Sequence, residues 1–142
     1  MIAKVERYIS CAHMIRNHKG KCSKLHGHNY KVTVELEILD LNDMGMVVDF
    51  GDVKSVIDDY DHKTLISEQV ETDDEYAYLK SNGKKACIPL NWCKKIHADY
   101  VTSENLAFEI LNRCTCRDFE VKVTIEETPG NEVTTGWALP CR

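Results

Sequence analysis

The chain lacks several features that would assign it to a common class of protein. None of its apolar runs is long enough to cross a bilayer. Its first ten residues contain no long apolar stretch and no small-residue cleavage site, so they do not resemble a secretory signal. An excess of basic charge is also absent, and the net charge of −5 at pH 7 argues against a general nucleic-acid binder. We therefore expect a cytoplasmic protein with no membrane or nucleic-acid partner.

The cysteines lack the spacing of a zinc ribbon, because no two of the seven form a CxxC pair. Seven is an odd number, so at least one thiol stays unpaired within a monomer, and without an export signal reduced thiols are expected. Internal repeats and low-complexity segments are missing as well. What remains is ordinary: 142 residues, 43% apolar and 29% charged, suit one compact domain.

Alternating apolar residues predict the strands of a half-buried antiparallel sheet. The clearest case is residues 29–38, where every second side chain from Tyr30 to Ile38 is apolar. Ile2 to about Cys11 forms a predicted first strand, and residues 120–127 and 132–139 form two closing strands. If the second strand extends back to His26, then His26 and His28 share its apolar face.

Two helices are predicted between these strands. Apolar residues recur at helical spacing after Asp49, which can cap the first helix, and after Thr102 or Ser103, which can cap the second. Residues 75–90 resemble a hairpin with a tight turn at Asn82-Gly83, so we treat about residues 67–98 as an insertion on a single domain spanning 1–142. The element order predicts an α+β fold with two helices on one face of an antiparallel sheet.

The pair His26 and His28 is the first candidate site. Two residues apart on an extended segment, both imidazoles point the same way. With a third imidazole from a neighbouring strand they would form a platform that binds zinc and leaves a fourth position open for water or substrate. His13 continues the apolar parity of the first strand, so it is the natural third ligand. The alternative, which we would prefer for a single isolated histidine, is a buried or surface imidazole without a metal.

Cys22 allows two interpretations. It could be the fourth ligand of a closed structural site, or it could stand beside an open catalytic zinc as a base or nucleophile. The second role needs the thiolate, which positive charge favours, and Arg16, Lys19, Lys21 and Lys24 are close in sequence. These basic residues could equally form a solvated loop.

Two carboxylates complete the candidates. Asp61 is followed by His62, and a carboxylate beside an imidazole can fix its tautomer and raise its basicity, although neighbours in sequence need not touch. Glu127, unlike Glu126, shares the strand face of apolar residues and therefore needs a polar partner. A carboxylate there can accept two parallel N–H bonds from the guanidine-like edge of a heterocycle.

Six segments occur in the order found in one enzyme family: CAH, CSKLHGHNY, VVDFGDVK, YDHKTL, TSENLAFEIL and EETP. Together they resemble the 6-pyruvoyl-tetrahydropterin synthase family, which includes the 6-carboxy-tetrahydropterin synthases. The resemblance covers nearly the whole chain apart from about residues 67–98. It implies the tunnelling fold, with four antiparallel strands and two helices per subunit, and a homohexamer of two trimers around a barrel.

The resemblance also implies roles for matched residues. The implied zinc ligands are His13, His26 and His28. The implied catalytic residues are Cys22, with its thiol off the metal, and the assisting pair Asp61 and His62, contributed across a subunit interface. The implied substrate-binding residues are Glu127, which anchors the pterin, and Thr102 and Ser103, which line its pocket. Arg16 and Lys21, with Lys19 and Lys24, are our own candidates for steering a triphosphate.

The spacing between Cys22 and His26 distinguishes relatives. Three residues separate them here, which is similar to the 6-carboxy-tetrahydropterin synthases of queuosine and deazapurine biosynthesis, whereas the animal pyruvoyl-forming enzymes have a longer spacer. The resemblance thus implies a zinc-dependent lyase that converts 7,8-dihydroneopterin triphosphate to 6-carboxy-5,6,7,8-tetrahydropterin, acetaldehyde and triphosphate. A sibling activity that gives a 6-pyruvoyl or 6-hydroxymethyl pterin stays open, as does a zinc-stabilised binding module without turnover.

Overall fold

The computed structural model describes residues 1–115 and 119–138, so Cys116 and Cys141 lie outside the described residues. The strands are β1 (Ile2–His13), β2 (His26–Glu37), β3 (Lys63–Ser67), β4 (Glu71–Thr72), β5 (Tyr76–Ser81), β6 (Lys84–Pro89), β7 (Cys93–Ile96), β8 (Glu120–Thr128) and β9 (Asn131–Thr134). The helices are α1 (Phe50–Asp58) and α2 (Ser103–Cys114). Single 3-10 turns span Lys21–Ser23 and Leu90–Trp92.

The main sheet has the strand order β7-β3-β1-β2-β8-β9. Its antiparallel strands β1, β2, β8 and β9 correspond to the four predicted strands, but β9 ends at Thr134, short of the predicted residue 139, which lies outside the described residues. The prediction that they make up the whole sheet is wrong. β3 pairs in parallel with β1, and β7 pairs in parallel with β3, so the sheet is six-stranded and mixed. β3 pairs with β1 only at Cys11 and Ala12, next to His13, and β7 in turn covers the outer edge of β3.

The pairing of β1 with β2 is regular from end to end. Ile2 lies opposite Glu37, and His13 lies opposite His26. Both strands run farther than Cys11 and Asn29, the bounds predicted for them, and β2 does extend back to His26. Alternate residues of both strands are buried under α1 and α2, so one face of this sheet is the core and the other is largely polar.

The two helices begin where their capping residues predict. The Asp49 side chain accepts a hydrogen bond from the backbone N–H of Gly51, which caps α1. The Thr102 hydroxyl accepts from the N–H of Asn105 at 3.2 Å, so Thr102 and not Ser103 caps α2. Neither helix, among the residues described, is long and apolar enough to span a membrane.

The predicted hairpin is confirmed and belongs to a second, three-stranded sheet of order β4-β5-β6. Asn82 and Gly83 both have positive φ angles, 49° and 75°, as a two-residue hairpin turn between right-twisted strands requires. A small apolar cluster of Ile66, Ala77 and Leu79 lies beneath this sheet, and Met14 packs against it. The residue after His13 therefore joins the main sheet to the hairpin.

Candidate active site

Three imidazoles converge where β1 ends and β2 begins. Their potential ligand atoms lie within 4.8 Å of one another, and the ring centroids of His13 and His26 are 4.6 Å apart. His13 is cross-strand partner to His26, and His28 lies two residues along on the same face of β2. The three histidines that strand parity predicts to share one face therefore do form a cluster.

Gly27 lets the two strands approach closely between the histidines. A Cβ atom at this position would lie 3.1 Å from the backbone oxygen of Cys11, which is tighter than almost all real contacts of this kind. The neighbouring Cys11 thiol is buried and donates to the Tyr60 carbonyl at 3.0 Å. Burial raises the pKa of the Cys11 thiol to about 12, so it is not a thiolate at neutral pH.

Backbone carbonyls fix which ring nitrogen is free in two of the imidazoles. His13 Nδ1 lies 2.9 Å from the Val101 oxygen, and His26 Nδ1 lies 2.6 Å from the Lys24 oxygen. Because a carbonyl can only accept, each Nδ1 donates and each Nε2 keeps its lone pair. The Nε2 atoms of His13 and His28 are buried without a hydrogen-bond partner.

Electrostatics also suits a metal at this place. Burial lowers the pKa of His13 and that of His28, so both imidazoles favour the neutral form that a metal requires. Three imidazole nitrogens, two of them buried without a hydrogen-bond partner, fit a zinc ion that keeps an open coordination position.

Glu127 lies at the edge of the imidazole cluster. One carboxylate oxygen is 3.4 Å from His28 Nε2, and the other accepts a 2.6 Å hydrogen bond from the Ser103 hydroxyl. Its side chain is 30% exposed, so part of the carboxylate can still meet a ligand. The polar partner that its place on the apolar face demands is thus Ser103, the first residue of α2.

Cys22 lies in the 3-10 turn between the two strands, and its side chain is half-buried. Its backbone oxygen accepts a hydrogen bond from the N–H of Ile15 at 2.9 Å. Cys22 is not a member of the group of mutually close ligand atoms that His13, His26 and His28 form.

The basic residues near Cys22 have different environments. The Arg16 guanidinium stacks on the ring of Tyr100 at 5.1 Å, and its Nε is buried without a hydrogen-bond partner. It lines a cavity of about 210 Å³ together with Tyr100 and Lys80. Lys21 begins the 3-10 turn and is exposed.

Asp61 and His62 do touch, with Asp61 Oδ1 lying 3.0 Å from His62 Nδ1. Asp61 also accepts from the backbone N–H of Ser10 at 2.8 Å, which lowers the pKa of its carboxyl. His62 is 81% exposed and lines an open cleft of about 460 Å³ with Ser10 and Asn29. Cys11, Gly27 and His28 also line this cleft, so His62 lies beside the paired ends of β1 and β2. Within the described residues, neither member of the pair has a hydrogen bond or ion pair with Cys22.

Three contributors to the site carried no signal in the sequence. The carbonyls of Val101 and Lys24 orient two imidazoles, and backbone groups have no residue type to reveal them. Trp92 ends the 3-10 turn between β6 and β7, and its side chain lines the same cleft as His62. The position of each of these groups beside a candidate residue follows only from the folded structure.

Comparisons with known proteins agree with this geometry. The family model described as 6-pyruvoyl tetrahydropterin synthase matches residues 2–136. A Haemophilus influenzae protein named 6-carboxy-5,6,7,8-tetrahydropterin synthase is 35% identical over 113 residues, which cover 72% of this chain and 73% of that protein. A Halobacterium salinarum relative is 47% identical over 60 residues, and these span 42% of this chain but only 39% of the relative.

Structural similarity extends over almost the whole chain. The crystal structure of 6-pyruvoyl tetrahydropterin synthase from Plasmodium vivax matches with a TM-score of 0.72 and 23% identity, covering 95% of this chain and 97% of that one. At this identity the likeness shows a shared fold, and it agrees with the α+β tunnelling fold implied by the sequence. The chain belongs to the 6-pyruvoyl tetrahydropterin synthase family.

Proposed function

We propose that this chain is a zinc-dependent lyase that, with one water, converts 7,8-dihydroneopterin triphosphate into 6-carboxy-5,6,7,8-tetrahydropterin, acetaldehyde and triphosphate. The product would serve the synthesis of queuosine and other 7-deazapurines. The observation that carries the proposal is the cluster of His13, His26 and His28, with unsatisfied nitrogens beside the carboxylate of Glu127. Family membership and the name of the Haemophilus influenzae relative support the substrate class.

The three imidazoles would hold the metal, and the free position suits the side-chain hydroxyls of the substrate. When bound, zinc supplies a Lewis acid that polarises these oxygens and lowers their pKa. Cys22 lies outside the ligand set, which favours a thiol that moves protons at the side-chain carbons over a fourth ligand of a closed structural site. This placement also argues against a zinc-stabilised module without turnover.

Glu127 and its neighbours would orient the substrate. The Ser103 hydroxyl occupies one carboxylate oxygen, and the rest of the carboxylate can accept N–H bonds from the pterin edge. Thr102 caps α2, which fixes Ser103, and both residues are proposed to line the pterin pocket. Arg16 and Lys21 are proposed to attract the triphosphate, and the buried Nε of Arg16 still lacks an acceptor.

The first experiment tests the reaction itself. Purified protein is incubated with substrate and zinc, and the pterin product is identified by mass spectrometry. Cys22→Ala should keep its zinc and lose turnover, whereas Cys87→Ala, which alters an exposed thiol on β6, should behave as wild type. A 6-pyruvoyl product would replace the 6-carboxy assignment, and full turnover by Cys22→Ala would remove the thiol from the mechanism.

We also propose that the active protein is a cytoplasmic homohexamer of two trimers in which Asp61 and His62 assist Cys22 of a neighbouring subunit. This proposal is supported by the exposure of the His62 ring and, among the described residues, by the lack of any hydrogen bond or ion pair between this pair and Cys22 of the same chain. Hybrid oligomers of the inactive variants Cys22→Ala and His62→Ala provide the test. Random mixing should restore about a quarter of wild-type turnover, because about half of the sites keep the thiol and half of those meet an intact imidazole. No restoration would place both groups in one chain.

A further inference from the structure

We propose that the β5–β6 hairpin is a positioning element for the catalytic thiol: Ser81 and Asn82 at its tip fix the loop that carries Cys22. The hairpin lies in the segment that the family resemblance leaves uncovered. The inference rests on the proposed function, in which Cys22 is the reacting thiol, and extends it to residues outside the site.

Three hydrogen bonds join the hairpin tip to the loop between β1 and β2. The N–H of Asn17 donates to the Ser81 hydroxyl at 3.0 Å, and the N–H of Asn82 donates to Asn17 Oδ1 at 3.0 Å. The Asn82 side-chain amide donates to the His18 carbonyl, also at 3.0 Å. The contact is therefore reciprocal: the loop donates to Ser81 through Asn17, and the hairpin donates twice to the loop through Asn82.

The contact joins two residues whose backbone conformation is uncommon for residues other than glycine. Asn17 and Asn82 have φ angles of 59° and 49°, in the left-handed region that asparagine tolerates better than most residues. Ser81 is buried, so the hydroxyl that receives the Asn17 N–H is shielded from water. By contrast, residues 17–21 are all exposed, and a loop with so little apolar burial depends on such hydrogen bonds for its order.

The constraint continues from Asn17 to Cys22 through the loop's own hydrogen bonds. Gly20 donates to the His18 ring at 2.9 Å, and Ser23 donates to the Gly20 carbonyl at 3.2 Å. The N–H of Ile15 closes the loop on the Cys22 carbonyl at 2.9 Å. A displacement at Asn17 therefore changes where the thiol lies.

The hairpin is itself anchored close to the metal ligands. Leu79 of β5 and Ile66 of β3 form the small core against which Met14 packs, and Met14 follows His13 directly. The hairpin tip is thus held at a set distance from the end of β1, and it can hold the loop between β1 and β2 in a fixed position relative to the imidazole cluster. Loss of the hydrogen bonds between the hairpin tip and the loop should therefore lower turnover and leave the zinc ligands in place.

The test uses Asn17, because its left-handed φ can be kept while its side chain is changed. Asn17→Gly keeps the conformation and removes the acceptor of the Asn82 N–H, whereas Asn17→Asp keeps both. A second variant, Ser81→Ala, removes the acceptor of the Asn17 N–H. Lys85→Ala, an exposed change on β6 of the same hairpin, is the control.

Three readouts separate positioning from general damage: zinc per chain, the kcat and KM of turnover, and the alkylation rate of Cys22 followed by site-resolved mass spectrometry. For Asn17→Gly and Ser81→Ala we expect full zinc, a kcat lowered about tenfold with KM changed less than about threefold, and an altered Cys22 alkylation rate. Asn17→Asp should recover most of the kcat, and Lys85→Ala should match wild type.

The outcomes distinguish the two proposals. If wild type turns over and Cys22→Ala does not, but Asn17→Gly and Ser81→Ala keep wild-type kcat and alkylation rate, the positioning role is overturned while the proposed function stands. If wild type makes no pterin product, the proposed function fails, and the alkylation rate alone then decides whether the hairpin fixes Cys22. Equal loss of zinc and turnover would also overturn the inference, because it would show general disruption of the site.

Discussion

Gly27→Ala should loosen the imidazole cluster without changing any ligand. The new Cβ would lie 3.1 Å from the Cys11 backbone oxygen, and ordinary contact begins at 3.4 Å, so β1 and β2 must separate by roughly 0.3 Å. Such overpacking costs about 1–3 kcal/mol. Neither atom can rotate away, because the new Cβ is attached directly to the backbone of β2 and the Cys11 oxygen belongs to the backbone of β1. The substitution falls between His26 and His28, so the same displacement spreads the imidazoles.

Replacing any glycine also restricts the unfolded chain, which stabilises the protein by about 0.4–1 kcal/mol and would mask part of the effect. Gly136→Ala is the matched control, since a Cβ there meets no atom within 4 Å and its φ is not positive. The unfolded-state effect cancels between the two variants. Gly27→Ala should therefore unfold more easily than Gly136→Ala by about 1–3 kcal/mol, which corresponds to a melting temperature lower by about 2–10 °C.

Thermal melts in zinc-free buffer measure the packing effect, and competition with a chromogenic chelator measures the metal. We expect zinc affinity to fall by about tenfold, the scale seen when groups that orient metal ligands are disturbed. If Gly27→Ala melts with Gly136→Ala and binds zinc as wild type does, then the close approach of the strands has no role in the site, and the reasoning from geometry is refuted.

Three further predictions address residues around the cluster. Thr102→Ala removes the cap of α2 and should lower the free energy of unfolding by about 1 kcal/mol in chemical denaturation, while Thr102→Ser should not. Ser103→Ala frees the Glu127 carboxylate and should raise KM about fivefold with kcat nearly unchanged in steady-state kinetics. The Ser10 N–H lowers the pKa of the Asp61 carboxyl, so its carboxylate contributes stability that is present above about pH 4 and is lost as the pH falls below it. In thermal melts from pH 5 to 3, Asp61→Asn should therefore lose less stability than wild type.

The parts of the fold that depend on local patterns could be predicted from the sequence. Alternation along β2 and the caps Asp49 and Thr102 involve residues close in sequence, so their physics is visible in a short window. The Asn82-Gly83 turn is similar, because its two positive φ angles call for these residue types. The sheet face on which Glu127 lies follows from strand parity alone.

The parallel strands β3 and β7 could not be predicted in the same way. Each is only four or five residues long, and its pairing partner is distant in sequence. A short apolar run does not reveal whether it will pair in parallel, in antiparallel or not at all. The same limit applies to Asp61 and His62: their adjacency is visible in the sequence, but their hydrogen bonds to Ser10 depend on β3 running alongside β1.

The three-residue spacer between Cys22 and His26 also has a physical explanation. Lys24 takes part in two contacts, because its N–H donates to the Lys21 carbonyl and closes the turn around Cys22, while its own carbonyl accepts from His26 Nδ1. One residue thus couples the orientation of the His26 imidazole to the turn that carries the Cys22 thiol. Two additional residues would separate these contacts, so the thiol and the imidazole would need independent support. A short spacer therefore fixes the thiol relative to the imidazole cluster, and in the proposed mechanism this relation decides where a proton can be moved on the bound side chain.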